Sequence, residues 1–283
     1  MSEFLEIISP GGGITIQDLG RPGWKRFGVP TGGAMDLESA RQANRLVGNE
    51  DSAPVLEFLF TGARLKVLEA AEIAITGAAV KSGHVPWRNF TGKAGEEIVF
   101  EEMRCGVWSY LAVRGGIDAP RWFGSASVYP RAGLGTALQK GMKLSRIDVP
   151  EAKAIAARFV PEMILPHFEE TPTIGIFKGP EWGRFSAEAQ TVFLEQAWAI
   201  SRQSDRTGYR LEGTPLPSHT AQILSAPLSV GTVQVPPGGQ PIVILRDGPT
   251  VGGYPRLAIL NADEVSRFTQ CAPGTQTRFR LIE

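Results

Sequence analysis

Apolar positions along this chain gather in short runs closed by Gly, Pro or charged residues. Phe4 to Ile8 and Ile14 to Ile16 flank Gly11-Gly12-Gly13 and read as two strands around a turn. One convincing helix follows. Asp36 caps it, Leu37, Ala40, Ala43, Leu46 and Val47 keep near-helical spacing, and Gly48 stops it. From Ala53 the pattern changes to β-rich runs: Val55 to Phe60, Arg64 to Leu68, Glu72 to Ile75, Ile98 to Phe100 and Trp108 to Val113. Gly141 to Leu144 closes this half with a turn and a short strand.

Residues 151–172 read as a connector, with an Ala-rich helix over Glu151 to Arg158 followed by Pro161, Pro166 and Pro172. Beyond it the pattern predicts a strand over Thr173 to Phe177 and a helix from Ser186 to Trp198. Strands are predicted at Tyr209 to Leu211, Gln222 to Leu224, Gly231 to Val235, Pro241 to Leu245 and Thr277 to Ile282. A helix near Asp263 to Gln270 precedes the last of them. Both halves run helix, strands, Gly-rich turn, terminal strand. This weak internal rhyme predicts a mainly β protein of two β-barrel-like lobes with a few short helices, 1–150 and 173–283. One continuous mixed β domain is the alternative.

Composition narrows the functional classes. The 283 residues include 33 Gly and 21 Pro, which suits short strands and tight turns. Lys and Arg total 29 and so do Asp and Glu, so no net field favours nucleic acid or an anionic membrane. Cys105 and Cys271 are far apart and lack metal-ligand spacing, and His84, His167 and His219 are isolated, so neither a disulfide framework nor a metal site is expected. The first residues lack a signal-peptide pattern and no apolar stretch is long enough to span a bilayer. A cytoplasmic protein is expected.

Four polar clusters could carry chemistry. Gln17-Asp18-Leu19-Gly20-Arg21 places an acid, a carboxamide and a guanidinium in a loop; Asp18 reads as a base, or as a partner that pairs with Arg21 to fix the loop. Gly28 to Asp36 presents glycines at a helix start but lacks the Gly-Lys-Ser/Thr ending of a nucleotide loop, and a helix cap is the plainer reading. Asp205, Arg206, Tyr209 and Arg210 form the densest cluster, able to polarise a small carboxylate or amide, or to anchor a loop by salt bridges. In Asp247 to Arg256, adjacent Gly252 and Gly253 beside Tyr254 permit close approach of a ligand or of another chain segment.

In order along the chain, Ile16 to Gly23, Gly33-Ala34-Met35-Asp36, Ala43 to Asn49, Leu56-Glu57, Tyr110 to Val113 with Gly115 to Asp118, and Arg131 to Gly135 form a series. It continues through Ser204 to Leu211, Gln234-Val235-Pro236 and Gly252-Gly253-Tyr254-Pro255. The series resembles the carboxyltransferase subdomain C/D family, which includes the C subunit of 5-oxoprolinase, also called allophanate hydrolase subunit 2. The resemblance implies cyclophilin-like barrel lobes and membership of an ATP-dependent complex with A and B subunits, of which B is kinase-inhibitor-like. ATP with Mg belongs to that complex as a whole. The implied reaction opens 5-oxoproline, or a related cyclic amide, to glutamate.

On this reading Asp18, Asp205, Arg206 and Tyr209 are the catalytic candidates. Gln17, Arg21, Arg210, Gln234, Gly252, Gly253 and Tyr254 are the substrate-binding ones. Two alternatives stay open: carboxyl transfer from carboxybiotin to urea or a similar amide, and a non-catalytic protein that binds a kinase-inhibitor-like partner. Two departures from the family pattern bear on the substrate. Asp247-Gly248-Pro249-Thr250-Val251 lacks an expected carboxamide and hydroxyl, and Arg114 stands where a small residue is usual.

Overall fold

A computed structural model describes residues 3–147, 156–166, 171–217 and 222–282. The chain divides into two compact units. One comprises Met1–Arg21 and Gly32–His167; the other comprises Phe168–Glu283 together with the segment Pro22–Thr31.

The first unit holds β1 (Glu3–Pro10), β2 (Ile14–Gln17), α1 (Leu37–Leu46), β3 (Val55–Leu59), β4 (Ala63–Val67), β5 (Ala71–Gly77), β6 (Val80–Lys81), β7 (Asn89–Gly92), β8 (Glu97–Val99), β9 (Glu102–Met103), β10 (Trp108–Val113) and β11 (Lys143–Ser145). Two sheets carry it, in the orders β11-β1-β4-β8 and β2-β3-β10-β5-β7, with β6 and β9 pairing separately. Both sheets feed one core. Phe4, Leu5, Ile7 and Leu65 from the first sheet meet Ile14, Phe58, Ile73 and Leu111 from the second, all fully buried. The helix forms where expected: the Asp36 carboxylate accepts from Ser39 N at 3.0 Å, and Gly48 lies in the left-handed region at φ 74°.

The second unit holds β12 (Thr173–Lys178), α2 (Ala187–Glu195), β13 (Trp198–Ile200), β14 (Gly208–Glu212), β15 (Ala226–Pro227), β16 (Thr232–Gln234), β17 (Ile242–Ile244), β18 (Val251–Gly252), β19 (Arg256–Leu260), α3 (Val265–Thr269) and β20 (Gln276–Leu281). Seven of these strands close a barrel in the order β12-β19-β16-β17-β14-β13-β20. Closure is by the parallel pair β12–β20, with Ile174 opposite Phe279; the remaining ladders are antiparallel. Phe193, Phe268 and Phe279 pack together inside, Phe193 stacked on Phe279 at 4.9 Å.

The mainly β class thus holds, with a closed barrel in the second unit and two sheets over a common core in the first. Several expected elements differ. Of the helix over Glu151 to Arg158, residues 151–155 lie outside the described residues and 156–158 are not helical. The helix after Ser186 stops at Glu195, because Trp198 is drawn into the barrel ladder, where it is fully buried and its indole N–H donates to Phe193 O at 3.0 Å. Gln222 to Leu224 forms no strand, and Leu224 is left exposed. The central barrel strand β19 was not anticipated.

Candidate functional site

The clusters nominated from the sequence fall in both units. In the first, Gln17, Asp18 and Arg21 are buried and clasp one segment, Trp122 to Val128. Asp18 Oδ1 accepts from Gly20 N at 2.7 Å and from the hydroxyls of Ser125 and Ser127, both at 2.6 Å. Its Oδ2 accepts from Ala126 N at 2.7 Å. Arg21 donates through Nε to Trp122 O at 3.4 Å and through Nη2 to Ser127 O. Gln17 Nε2 donates to Val128 O and Thr15 Oγ1, both at 3.1 Å. A carboxylate so saturated with donors anchors this loop. Asp18 and Arg21 fix the same loop by way of this common segment.

The stretch Gly33 to Asp36 is likewise tied to protein. Glu57 Oε2 accepts from Met35 N at 2.7 Å and from the Tyr110 hydroxyl at 2.9 Å, and that hydroxyl oxygen accepts from Asp36 N at 2.8 Å. Burial, reinforced by the Glu57 and Asp36 charges, pushes the Tyr110 phenol well above 10, so it serves as a fixed donor. Asp36 also accepts from Ser39 Oγ at 2.6 Å. His84, isolated in the sequence, is paired in space: Nε2 lies 2.9 Å from Glu96 Oε1 and the ring stacks on Phe90 at 3.7 Å. Clefts of about 410 Å³ beside His84 and beside Phe159 contain none of the nominated residues.

In the second unit, the loop before β14 meets the loop after β17. Arg206 grips Asp247 with both arms of its fork, Nε to Oδ2 at 2.7 Å and Nη2 to Oδ1 at 3.2 Å. Backbone bonds lock the same contact: Asp247 N donates to Arg206 O and Leu245 N to Thr207 O, each at 3.0 Å. The Asp205 carboxylate turns inward onto Thr207 N at 2.8 Å. Strand alternation then separates Tyr209 from Arg210. Tyr209 faces the barrel core, its hydroxyl donating to Thr269 O at 2.8 Å and its ring against Phe268, whereas Arg210 is exposed. Tyr209, a catalytic candidate in the sequence, thus sits in the barrel core. Tyr209→Phe is expected to cost about 1 kcal/mol of stability in urea unfolding and to leave any turnover unchanged; a turnover defect in a protein of unaltered stability would return the hydroxyl to the chemistry.

Gln234 is buried and donates from Nε2 to Tyr254 O at 2.9 Å. A side chain on Gly252 would stand 2.8 Å from that same Nε2 and from Leu228 Cδ1, so the glycine admits Gln234. Gly253 has more room, and the Tyr254 ring is exposed. Two cations in this region were not legible in the sequence. Lys25 donates from Nζ to Leu228 O at 2.8 Å, and Arg246 precedes Asp247. Burial first, and Arg246 second, lower the Lys25 pKa.

Among the described residues no group of three or more His, Cys, Asp or Glu could hold a metal ion, and no helix is long and apolar enough to cross a membrane. Cys271 is buried, and burial pushes its thiol up to about 12.

Comparison with known proteins fits this architecture. The chain is 34% identical to the C subunit of 5-oxoprolinase from Escherichia coli (strain K12), over 97% of this chain and 90% of that one. It is 30% identical to urea amidolyase of Lachancea kluyveri, over 97% of this chain but 17% of the relative. Among solved structures, TTHA0988 matches with a TM-score of 0.90 at 31% identity, over 98% of this chain and 55% of that one. The Kluyveromyces lactis urea carboxylase matches with a TM-score of 0.89 at 27% identity, over 100% of this chain and 28% of that one. The family model that matches, over residues 27–281, describes subdomains A and B where the motif series suggested C and D. The chain belongs to the family described as carboxyltransferase domain, subdomain A and B.

Proposed function

We propose that this chain is the C subunit of an ATP-dependent 5-oxoprolinase-type complex, which opens 5-oxoproline or a related cyclic amide to glutamate together with A and B subunits. The near-full-length likeness to the 5-oxoprolinase C subunit supports this most directly, because there a chain of similar extent is itself the named component. In this reading Arg210, the exposed cation of β14, and Gln234, oriented by the Tyr254 carbonyl, contact the substrate. Arg206 and Asp205 set the loop that leads into β14 and Arg210, and the Tyr254 ring forms a wall. Gly252 keeps the backbone close to Gln234, and Gly253 beside it leaves room. Gln17, Asp18 and Arg21 hold their own loop and make no step of the reaction.

ATP with Mg is assigned to the complex, not to residues of this chain. The Gly-rich stretch before α1 does not suit a nucleotide phosphate, since Glu57 takes the Met35 amide and the Asp36 carboxylate takes the Ser39 amide.

Carboxyl transfer from carboxybiotin is the second reading, favoured by the likeness to urea carboxylase. Co-expression with A and B subunits and assay of ATP-dependent glutamate release from 5-oxoproline tests the choice. Turnover is expected to require all three proteins and to show a KM raised about tenfold or more in Arg210→Ala. Co-purification of the three without glutamate release would sink the lactam reading, and transfer from carboxybiotin to urea would establish the second.

A further inference from the structure

The cleft beside His84 lies in the first unit and contains none of the residues assigned to the proposed reaction. Its volume of about 410 Å³ suits a small organic ligand. Lys81, His84 and Arg104 line it with Val80, Ser82 and Val85, and no carboxylate joins them. The neighbouring acids are placed otherwise. Glu96 accepts from Lys93 N through Oε2 at 2.8 Å, and its Oε1 lies 2.9 Å from His84 Nε2, which fixes the imidazole against Phe90. Glu101 pairs with Lys81 at 3.4 Å, an exposed contact of small worth. Glu102, across the β6–β9 ladder from Lys81, lies outside the lining. The exposed Arg104 guanidinium makes no ion pair or hydrogen bond among the described residues.

Backbone bonds hold the lining in place. Val80 and Lys81 pair with Met103 and Glu102, and just beyond, Arg104 N donates to Ala79 O at 2.9 Å and Ala79 N to Cys105 O at 3.0 Å. Between β6 and β7 the buried Ser82 hydroxyl donates to His84 O at 3.3 Å. The segment ends at Trp87, a buried residue at φ 62°. A bulky side chain is rare in that region, and such strain persists only where neighbours over-determine it. Here the Trp87 amide donates to Ile75 O at 2.7 Å and its carbonyl accepts from Val160 N at 2.9 Å.

We propose that this cleft binds a small organic anion, an apolar body that carries one carboxylate or phosphate group. The planar Arg104 fork suits either oxyanion, and Lys81 adds a compact charge whose surface pair is easily exchanged. Val80 forms the buried floor, and Val85, 62% exposed, is the surface that an apolar body covers. The inference does not rest on the 5-oxoprolinase reading, because it concerns binding by other residues and needs no turnover.

The test is calorimetric titration of the full chain with benzoate, phenyl phosphate and neutral benzamide, at ionic strength held constant with chloride. Saturable binding is expected for at least one of the two anions, about tenfold or more tighter than for benzamide. Arg104→Gln removes the fork, and Val85→Asp sets a carboxylate in the lining. Both positions are exposed, so urea unfolding is expected to stay unchanged while the anion weakens about tenfold or more. Arg210→Ala, in the other unit, retains full affinity. Binding of phenyl phosphate alone assigns a phosphoryl ligand, and binding of benzoate alone a carboxylate. Absence of binding by both anions, benzamide bound as tightly, or undiminished affinity in the Arg104→Gln or Val85→Asp protein overturns the proposal. So does affinity lost in Arg210→Ala, which would assign the anion to the residues of the proposed reaction.

Discussion

Asp18→Ala is expected to destabilise the unit formed by Met1–Arg21 and Gly32–His167 by about 3–5 kcal/mol. The carboxylate is buried and accepts four hydrogen bonds, two of them from the amides of Gly20 and Ala126. The hydroxyls of Ser125 and Ser127 rotate to new acceptors at small cost. The amides have no such freedom, and leaving each unmade costs about 1–3 kcal/mol. The nearby Arg121 guanidinium, half-exposed and 3.8 Å from Oδ2, contributes little. Urea unfolding measures the loss, and hydrogen exchange localises it: protection is expected to fall first at Gly20 and Ala126. A stable Asp18→Ala protein with intact protection but abolished turnover would restore Asp18 to the catalytic list.

Elements whose pattern, cap and stop all lie within one segment were legible from the sequence. Trp108 to Val113 emerges as β10 with the bounds expected, because a strand buried on both faces reads as an unbroken apolar run. The helix α1 was equally clear, since its cap and its stop sit within the segment. Elements decided by tertiary partners were not. The strand β19 has an ordinary sequence, Arg256-Leu257-Ala258-Ile259-Leu260, hidden behind the Tyr254-Pro255 turn, and becomes central because β12 and β16 flank it. Gln222 to Leu224 has β-prone residues but no barrel neighbour, so it stays outside any strand.

The same division runs through the candidate site. Asp205, Arg206, Tyr209 and Arg210 were picked out as one polar cluster, but period-two alternation along β14 sends Tyr209 inward and Arg210 outward. That signal was present in Gly208-Tyr209-Arg210-Leu211. The partner of Arg206 was not, because Asp247 stands 41 residues away and reaches it through the pairing of β14 with β17. Lys25 gave no sequence signal at all. It lies in a segment grouped with the second unit although most of the first 150 residues build the other, and its acceptor Leu228 is 203 residues distant.

Asp247→Ala is expected to cost the barrel unit about 3 kcal/mol, the low end for breaking a buried pair because Arg206 keeps some contact with water. The argument turns on what is left behind. Asp247 is nearly inaccessible and receives both arms of the Arg206 fork, so its removal takes both of these bonds from a guanidinium whose hydration is obstructed. Arg206→Met together with Asp247→Leu removes both charges and is expected to cost clearly less than the two single changes summed, a coupling above about 1 kcal/mol. Urea unfolding of the four proteins in the cycle gives that coupling directly. Strong coupling with loss of turnover only in proportion to lost folded protein makes the pair a clamp for its loops. If the double variant is as stable as wild type yet inactive in the reconstituted complex, the pair acts in the reaction itself. Additive costs would instead mean that the fork seen here contributes no interaction energy, and the clamp would have to be abandoned.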